Sequence, residues 1–449
     1  MREPIVITGA GPAGALLATY IARQGHDVTV YESRPDLRTT EIAAGRSINL
    51  ALATRGIVPL IDIGVIERVD TITIPMKGRM VHSVDGQPPE MQLYGAKDHD
   101  VIHSVSRSDL NAILLDAAEA TGRVTIVFNK QMKSVDFDGS LLEFEDGSSA
   151  PFGTIFGTDG AGSPVREAMA AIGACEWHTD RLGHSYKELT LPAHPDGSHQ
   201  LEANALHIWP RGEFMLIALA NPSGNFTVTL FAPSETFAAL DSTVAIEAFF
   251  AREFADFAAL TPDLPEQFLG HPAGGLGTIR ATGWSFEDRA VILGDAAHAL
   301  VPFHGQGMNA AMESARALDR HLRATPDDVA GAFRRFEIER KPSTDAIADM
   351  ALENYVEMRA SVVDPEYLAK RALALELERR HPNRLSPKYN MVMFSTMPYA
   401  EAKSRSERQA EIIAAAIADP TLDVDALVEA LPLLPENDPL ADPYALSLS

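Results

Sequence analysis

The chain opens on a short unbroken apolar run, PIVIT at 4–8, the pattern of a strand buried on both faces. A glycine-rich hexapeptide follows, and then apolar side chains recur at Leu16, Leu17, Tyr20 and Ile21, which predicts one face of a helix. DVTVYE at 27–32 reads as the next strand, so the first 32 residues predict a strand–helix–strand unit. Helical periodicity returns at 55–68 and 107–121 and alternates with strand-like VTIVFN (124–129), SVDF (134–137) and SLLEFED (140–146). Between Leu182 and Pro233 the pattern changes. YKELTLP, ALHIWP, FMLIALAN and FTVTLFAP are apolar runs separated by Gly, Pro, Ser and Asn, which predicts an antiparallel sheet. Gly274-Gly275-Leu276-Gly277 reads as a loop, because no apolar strand precedes it. RAVILGDAAHAL (289–300) is again a buried strand ending in a turn. From Gly305 to about Ala324 a stripe of Met308, Met312, Ala315, Leu318 and Leu322 predicts a helix. The remainder is mostly helical and ends in LPENDPLADPYALSLS, a tail expected to fray.

These elements predict an α/β protein. A discontinuous α/β domain takes 1–181 and 276–325, an inserted antiparallel-sheet domain takes 182–275 with contributions from 71–95, and a helical C-terminal region takes 326–449. The length allows a large core. The formal charge of −24 makes nucleic acid and anionic membranes poor partners, since both demand a basic surface. The single cysteine, Cys175, excludes an internal disulfide and a Cys-rich metal site, and no metal is expected. No signal-peptide core precedes IVITG, and the richest apolar stretch, IIAAAIA from Ile412, falls far short of the roughly 18 residues a spanning helix needs. A cytoplasmic monomer or homodimer is the expectation.

Candidate chemistry begins in the hexapeptide. Gly9-Ala10-Gly11-Pro12-Ala13-Gly14 fits GxGxxG between a strand and a helix. The first glycine permits the tight turn, the second lets a pyrophosphate approach the backbone, and the third lets helix pack on strand, while the helix N-terminus offers free N–H groups. Glu32 closes the next strand 23 residues after Gly9, where a carboxylate can accept from a ribose diol. Gly157-Thr158-Asp159-Gly160 and Gly294-Asp295-Ala296 each place an aspartate after an apolar strand, at the end where open α/β sheets bind ligands. Pro302-Phe303-His304-Gly305-Gln306-Gly307-Met308-Asn309 then opens the later helix.

Together and in this order, these segments resemble the class A flavoprotein monooxygenases. The resemblance implies an FAD-binding Rossmann-like domain with an inserted substrate sheet, and only one dinucleotide fold. NADPH would therefore bind transiently from outside. It also implies that Asp295 lies near the ribityl and pyrophosphate of FAD, and that Asp159 shapes the site of NADPH approach. Arg107 would reach the pyrophosphate, with Ser33, Arg34, Ala51 and Met132 along the adenosine side and Ala13 among the cofactor-binding residues. Gly307, Met308 and Asn309 would present the helix N-terminus to the flavin ring.

Further motifs narrow the resemblance to the kynurenine 3-monooxygenase family: GRSINLAL (45–52), IPMKGRMVHS (74–83), YGAK (94–97), LHIWP (206–210), VPFHGQGMNA (301–310) and NYVEMRA (354–360). The similarity runs from Ile5 to about Tyr399. It implies that NADPH and O2 hydroxylate L-kynurenine to 3-hydroxykynurenine through a flavin hydroperoxide. Arg79 would hold the carboxylate, Tyr94, Asn354 and Tyr389 would add polar contacts, and Phe303 and His304 would sit near the ring. No acid–base dyad is evident and no catalytic base is assigned. Eukaryotic members carry a hydrophobic C-terminal anchor, which the acidic tail here does not resemble. Three alternatives stay open: a class A hydroxylase of another aromatic acid, a non-catalytic flavin-binding protein, and a structural α/β protein with no cofactor.

Overall fold

The opening run forms the fully buried strand Ile5–Thr8 inside a six-stranded sheet. It pairs in parallel with Val28–Tyr31 on one side and Thr154–Gly157 on the other. Val124–Val127 and Ala290–Ile292 continue the sheet in parallel, and Ser285–Phe286 adds an antiparallel edge. Such a sheet must be covered on its faces. The helices Pro12–Arg23, Arg107–Glu119 and Gly307–Ala324 help to do so, burying Leu16, Leu17, Leu114, Met312 and Leu318. Strand register aligns the ends of this sheet. Thr8, Gly157 and Ile292 lie side by side, so Gly9, Asp159 and Asp295 emerge at one end of one sheet although nearly 290 residues separate the first from the last.

The computed structural model describes residues 1–39, 49–95, 100–359 and 364–435. Residues 45–48 of GRSINLAL, 96–97 of YGAK, 360 of NYVEMRA and the tail from 436 lie outside the described residues.

A seven-stranded sheet stands against this domain, in the order Ala273–Thr282, Glu176–Leu191, Phe226–Pro233, Phe214–Ala220, Ala205–Arg211, Gly78–Val81 and Glu90–Leu93. All its pairings are antiparallel except that of Ala205–Arg211 with Gly78–Val81. Gly274–Gly277 is not a loop but part of the strand Ala273–Thr282. The absence of large apolar residues there has a steric cause. Gly274 pairs with Tyr186, and a Cβ at position 274 would stand 2.5 Å from the tyrosine ring. The boundaries expected at 181/182 and 275/276 fall within two continuous strands.

The back of this sheet is sealed by Thr243–Glu253, Ala255–Leu260 and Leu264–Gly270 over Trp209, Phe226, Phe250 and Phe257. Its front faces the six-stranded domain. The C-terminal helices Val329–Arg359 and Tyr399–Ala418 close the remaining side, with Met350, Tyr355, Met358, Met393 and Tyr399 in one apolar cluster with Val81 and Phe303. Among the described residues, no helix is long and apolar enough to cross a membrane.

Candidate active site

One cavity of about 810 Å³ runs from the glycine turn to Arg79 and Tyr389, between the two sheets and the C-terminal helices. Its near end is lined by Gly9, Gly11, Ala13, Glu32, Ser33, Arg34, Ala51, Arg107, Met132, Asp159, Asp295, Gly307 and Met308. Its far end is lined by Arg79, Phe303, His304, Asn354 and Tyr389. Gly14, Tyr94 and Asn309 stand behind this wall and act on those that form it.

The near end has the form of a dinucleotide cradle. Gly9 sits at φ +88°, a left-handed turn in which a Cβ would meet the Thr158 carbonyl at 2.5 Å. At Gly14 a Cβ would lie 2.0 Å from the Gly9 carbonyl, so this glycine lets the helix close on the turn. At Gly11 nothing lies within 4 Å of an added Cβ, which leaves open space where the backbone faces the cavity. Glu32, 4% exposed, accepts from the Ala10 N–H at 2.8 Å and from Arg34 Nε at 2.7 Å. Burial works against its charge, but the Arg34 bonds outweigh it and hold the carboxyl below its usual range.

Asp159 keeps Oδ2 on the Val165 N–H at 3.2 Å, while its buried Oδ1 has no partner among the described residues. Burial pushes its carboxyl up to about 6. Asp295 is likewise raised by burial, with Arg107 opposing the shift. The helix Gly307–Ala324 makes its first internal bond from Ala310 N–H to Gln306, leaving the N–H groups of its opening residues unused by the helix. Asn309 explains how that end is aimed. Its Oδ1 accepts from Ala53 N–H at 3.0 Å and its Nδ2 donates to the Ala51 and Gly305 carbonyls, both at 2.8 Å. Open space at Gly11, an acceptor at Glu32, an unpartnered buried acceptor at Asp159 and a helix N-terminus with unused N–H groups fit FAD.

The far end combines one charge with an aromatic slot. Arg79 is buried; its Nη1 donates to Glu357 at 3.3 Å, and its Nε has no partner among the described residues. Its guanidinium lies 4.9 Å from the Tyr389 ring centre, which stacks on Tyr94 at 5.0 Å and on His304 at 5.3 Å. Asn354 donates to the Phe303 carbonyl at 2.6 Å and so fixes the turn carrying Phe303 and His304. Phe303 stacks on Tyr355 at 3.8 Å. Burial lowers His304 to about 4, so its ring is neutral at physiological pH. Met215, Leu219, Phe231 and Met358 complete an apolar wall.

Sequence reading missed Glu357, which faces Arg79 and accepts from Tyr367 Oη at 2.6 Å. Its position three residues after Asn354, on one helical face inside NYVEMRA, was the one signal present. It also missed Glu188 and Tyr186, which line the cavity from the strand Glu176–Leu191. Nothing in their alternating strand pattern marks them.

Comparison with known proteins agrees with this geometry. The family model described as FAD binding domain matches residues 2–351. Kynurenine 3-monooxygenase of Stenotrophomonas maltophilia (strain K279a) is 50% identical over 418 residues, 91% of each chain. That of Myxococcus xanthus (strain DK1622) is 44% identical over 409 residues, 89% of this chain and 87% of its own. Among solved structures, Pseudomonas aeruginosa PqsL in complex with 2-aminobenzoylacetate matches with a TM-score of 0.64 at 20% identity, over 79% of this chain and 96% of that one. The tetrameric form of 2-methyl-3-hydroxypyridine-5-carboxylic acid oxygenase also gives 0.64 at 20% identity, over 81% and 95%. The structural matches show the fold, and the sequence matches show more: the chain belongs to the FAD-binding domain family and, within it, to the kynurenine 3-monooxygenase family.

Proposed function

We propose that this chain hydroxylates L-kynurenine to 3-hydroxykynurenine with NADPH and O2. The observation that carries the reading is the continuity of the cavity. The cradle at Gly9, Gly11 and Glu32 and the slot at the buried Arg79 belong to one cavity. When bound, FAD supplies the redox chemistry that turns NADPH and O2 into an oxygen donor. The chain's own residues bind and orient.

Arg79 presents a buried fork to the amino-acid carboxylate. Glu357 offers a carboxylate beside it, suited to the ammonium group. Tyr389 and His304 stack along the path to the ring, while Phe231, Met215 and Leu219 form the slot that keeps the ring dry. The neutral imidazole of His304 adds no charge there. Tyr94 backs Tyr389, and Asn354 holds the Phe303 turn, so both set the shape of the slot. The aromatic amine activates the carbon beside it, so orientation and exclusion of water are the main demands on the protein. NADPH docks transiently from outside, where Asp159 shapes the approach.

A panel of aromatic amino acids and acids, assayed for substrate-stimulated NADPH oxidation, tests the reading. L-kynurenine is expected to give the largest stimulation together with product. A larger productive stimulation by an acid without the amino-acid end would replace the substrate.

A further inference from the structure

Behind the sheet, on the face opposite the cavity, two histidines and an aspartate form one hydrogen-bonded chain. His82 Nδ1 lies 2.9 Å from Asp256 Oδ2, and His82 Nε2 lies 2.9 Å from His207 Nδ1. His207 Nε2 lies 2.8 Å from the Glu202 carbonyl. The carbonyl can only accept, and so can an ionised carboxylate. The three bonds therefore need three ring protons, whereas two neutral imidazoles supply two. The chain holds one proton more than two neutral rings.

An ionised carboxylate faces that proton. Burial raises the Asp256 carboxyl, but bonds from His82 and from Trp209 Nε1, at 2.8 and 3.0 Å, outweigh it and keep the group ionised. Burial lowers His207 to about 4. The His82 ring stacks on Trp209 at 4.0 Å. The other charged groups facing the chain are Arg211, which donates from Nη1 to the His82 carbonyl, and the carboxylates of Glu253 and Glu202.

We propose that Asp256, His82 and His207 are positioning residues that hold Arg79 in place through a protonated clamp. Arg79 lies three residues before His82, on the four-residue strand Gly78–Val81. Leu206, the neighbour of His207, pairs with Arg79. On its other side that strand meets, among the described residues, the edge strand Glu90–Leu93. Parallel pairing is slightly less stable per residue than antiparallel pairing, and here it spans four residues. The clamp ties the end of the strand to Ala255–Leu260, the helix that carries Asp256, and so fixes the backbone from which Arg79 reaches the carboxylate. The consequence for kynurenine rests on the proposed function; the proton count does not.

The proton count fixes the direction of the pH dependence. The extra proton is present at low pH and lost as pH rises, and with it goes one of the three bonds. Substrate affinity is therefore best on the acid side and declines as the pair deprotonates. Asp256→Asn removes the charge that retains the proton, which displaces this decline downward by about one to three pH units. The Asp256 side chain is 52% exposed, so the change leaves no buried hole.

Histidine side-chain nitrogen NMR on the full-length holoenzyme reads the charge directly. Both ring nitrogens of one histidine of the pair, identified by its loss in His82→Gln or His207→Gln, are expected to carry protons at neutral pH. KM and kcat for L-kynurenine are then measured against pH in wild type, Asp256→Asn and Asp256→Glu. In Asp256→Asn, KM at neutral pH is expected to rise about tenfold with kcat within about twofold, and Asp256→Glu restores it. Two neutral imidazoles at neutral pH, or superimposable KM profiles for wild type and Asp256→Asn, overturn the clamp. Wild type that does not turn over kynurenine overturns the proposed function instead, and the NMR result still decides the charge.

Discussion

A buried guanidinium with one nitrogen left without a partner is costly unless something anionic completes its surroundings. Arg79 is such a group: Glu357 takes Nη1 at 3.3 Å, while Nε points to no acceptor among the described residues. On the proposed function, a substrate carboxylate would supply what is missing. Arg79→Ala is therefore expected to raise the dissociation constant of L-kynurenine by about 10–100-fold, the worth of hydrogen bonds to a charged group, with FAD content unchanged. Titration of the holoenzyme by flavin absorbance measures both quantities, and unaltered kynurenine affinity would remove Arg79 from the site. Arg79 and Asn354 were legible because they lie in recognisable motifs, and Tyr389 only through the family resemblance. Glu357 was not, since its meaning depends on a strand nearly 280 residues earlier meeting its helix face. Tyr94 and Asn309 were legible as participants, but their places were not. One stacks behind Tyr389, and the other has its side chain fully engaged by the backbone of Ala51, Ala53 and Gly305.

At the level of elements, the glycine turn shows how far a local pattern carries. The expected strand, turn and helix are present, and the three glycines differ in what they permit. At Gly14 an added methyl would strike the Gly9 carbonyl at 2.0 Å, whereas at Gly11 it would meet open space. Gly14→Ala is accordingly expected to lower the thermal stability of the apoprotein, at about 1–3 kcal/mol, the usual cost of overpacking. Gly11→Ala should leave apoprotein stability within about 0.5 kcal/mol and weaken FAD, because the methyl would intrude only into the open space of the proposed cofactor cradle. Calorimetry of the two apoproteins with FAD titration separates the outcomes; equal destabilisation by both would contradict the cradle. The same kind of pattern failed at Gly274–Gly277. There the strand is imposed by its neighbours, since Tyr186 from the adjacent strand occupies the volume that side chains would need. Tertiary packing overrode local propensity.

Across the molecule as a whole, the turn that opens the Gly307–Ala324 helix is held from the far end of the chain. Arg55, fully buried, donates to the carbonyls of Val392 and Met397, pairs with Glu313 at 3.0 Å and stacks 3.9 Å over Tyr399. Tyr399 Oη in turn donates to Gln306 Oε1 at 2.7 Å. The helical C-terminal region, readable from sequence only as helices, is thus tied to the wall where cofactor cradle and substrate slot meet. Gly9, Asp159 and Asp295 reach one sheet end through strand register, and Arg79 reaches the same cavity from the second sheet. If that convergence builds a hydroxylase site, product formation must reveal it. The FAD-loaded protein is given NADPH, L-kynurenine and ¹⁸O-labelled O2, and the products are read by mass spectrometry. The expected product is 3-hydroxykynurenine carrying a single ¹⁸O atom; NADPH oxidation that yields only peroxide and unchanged kynurenine would contradict this reading of the cavity.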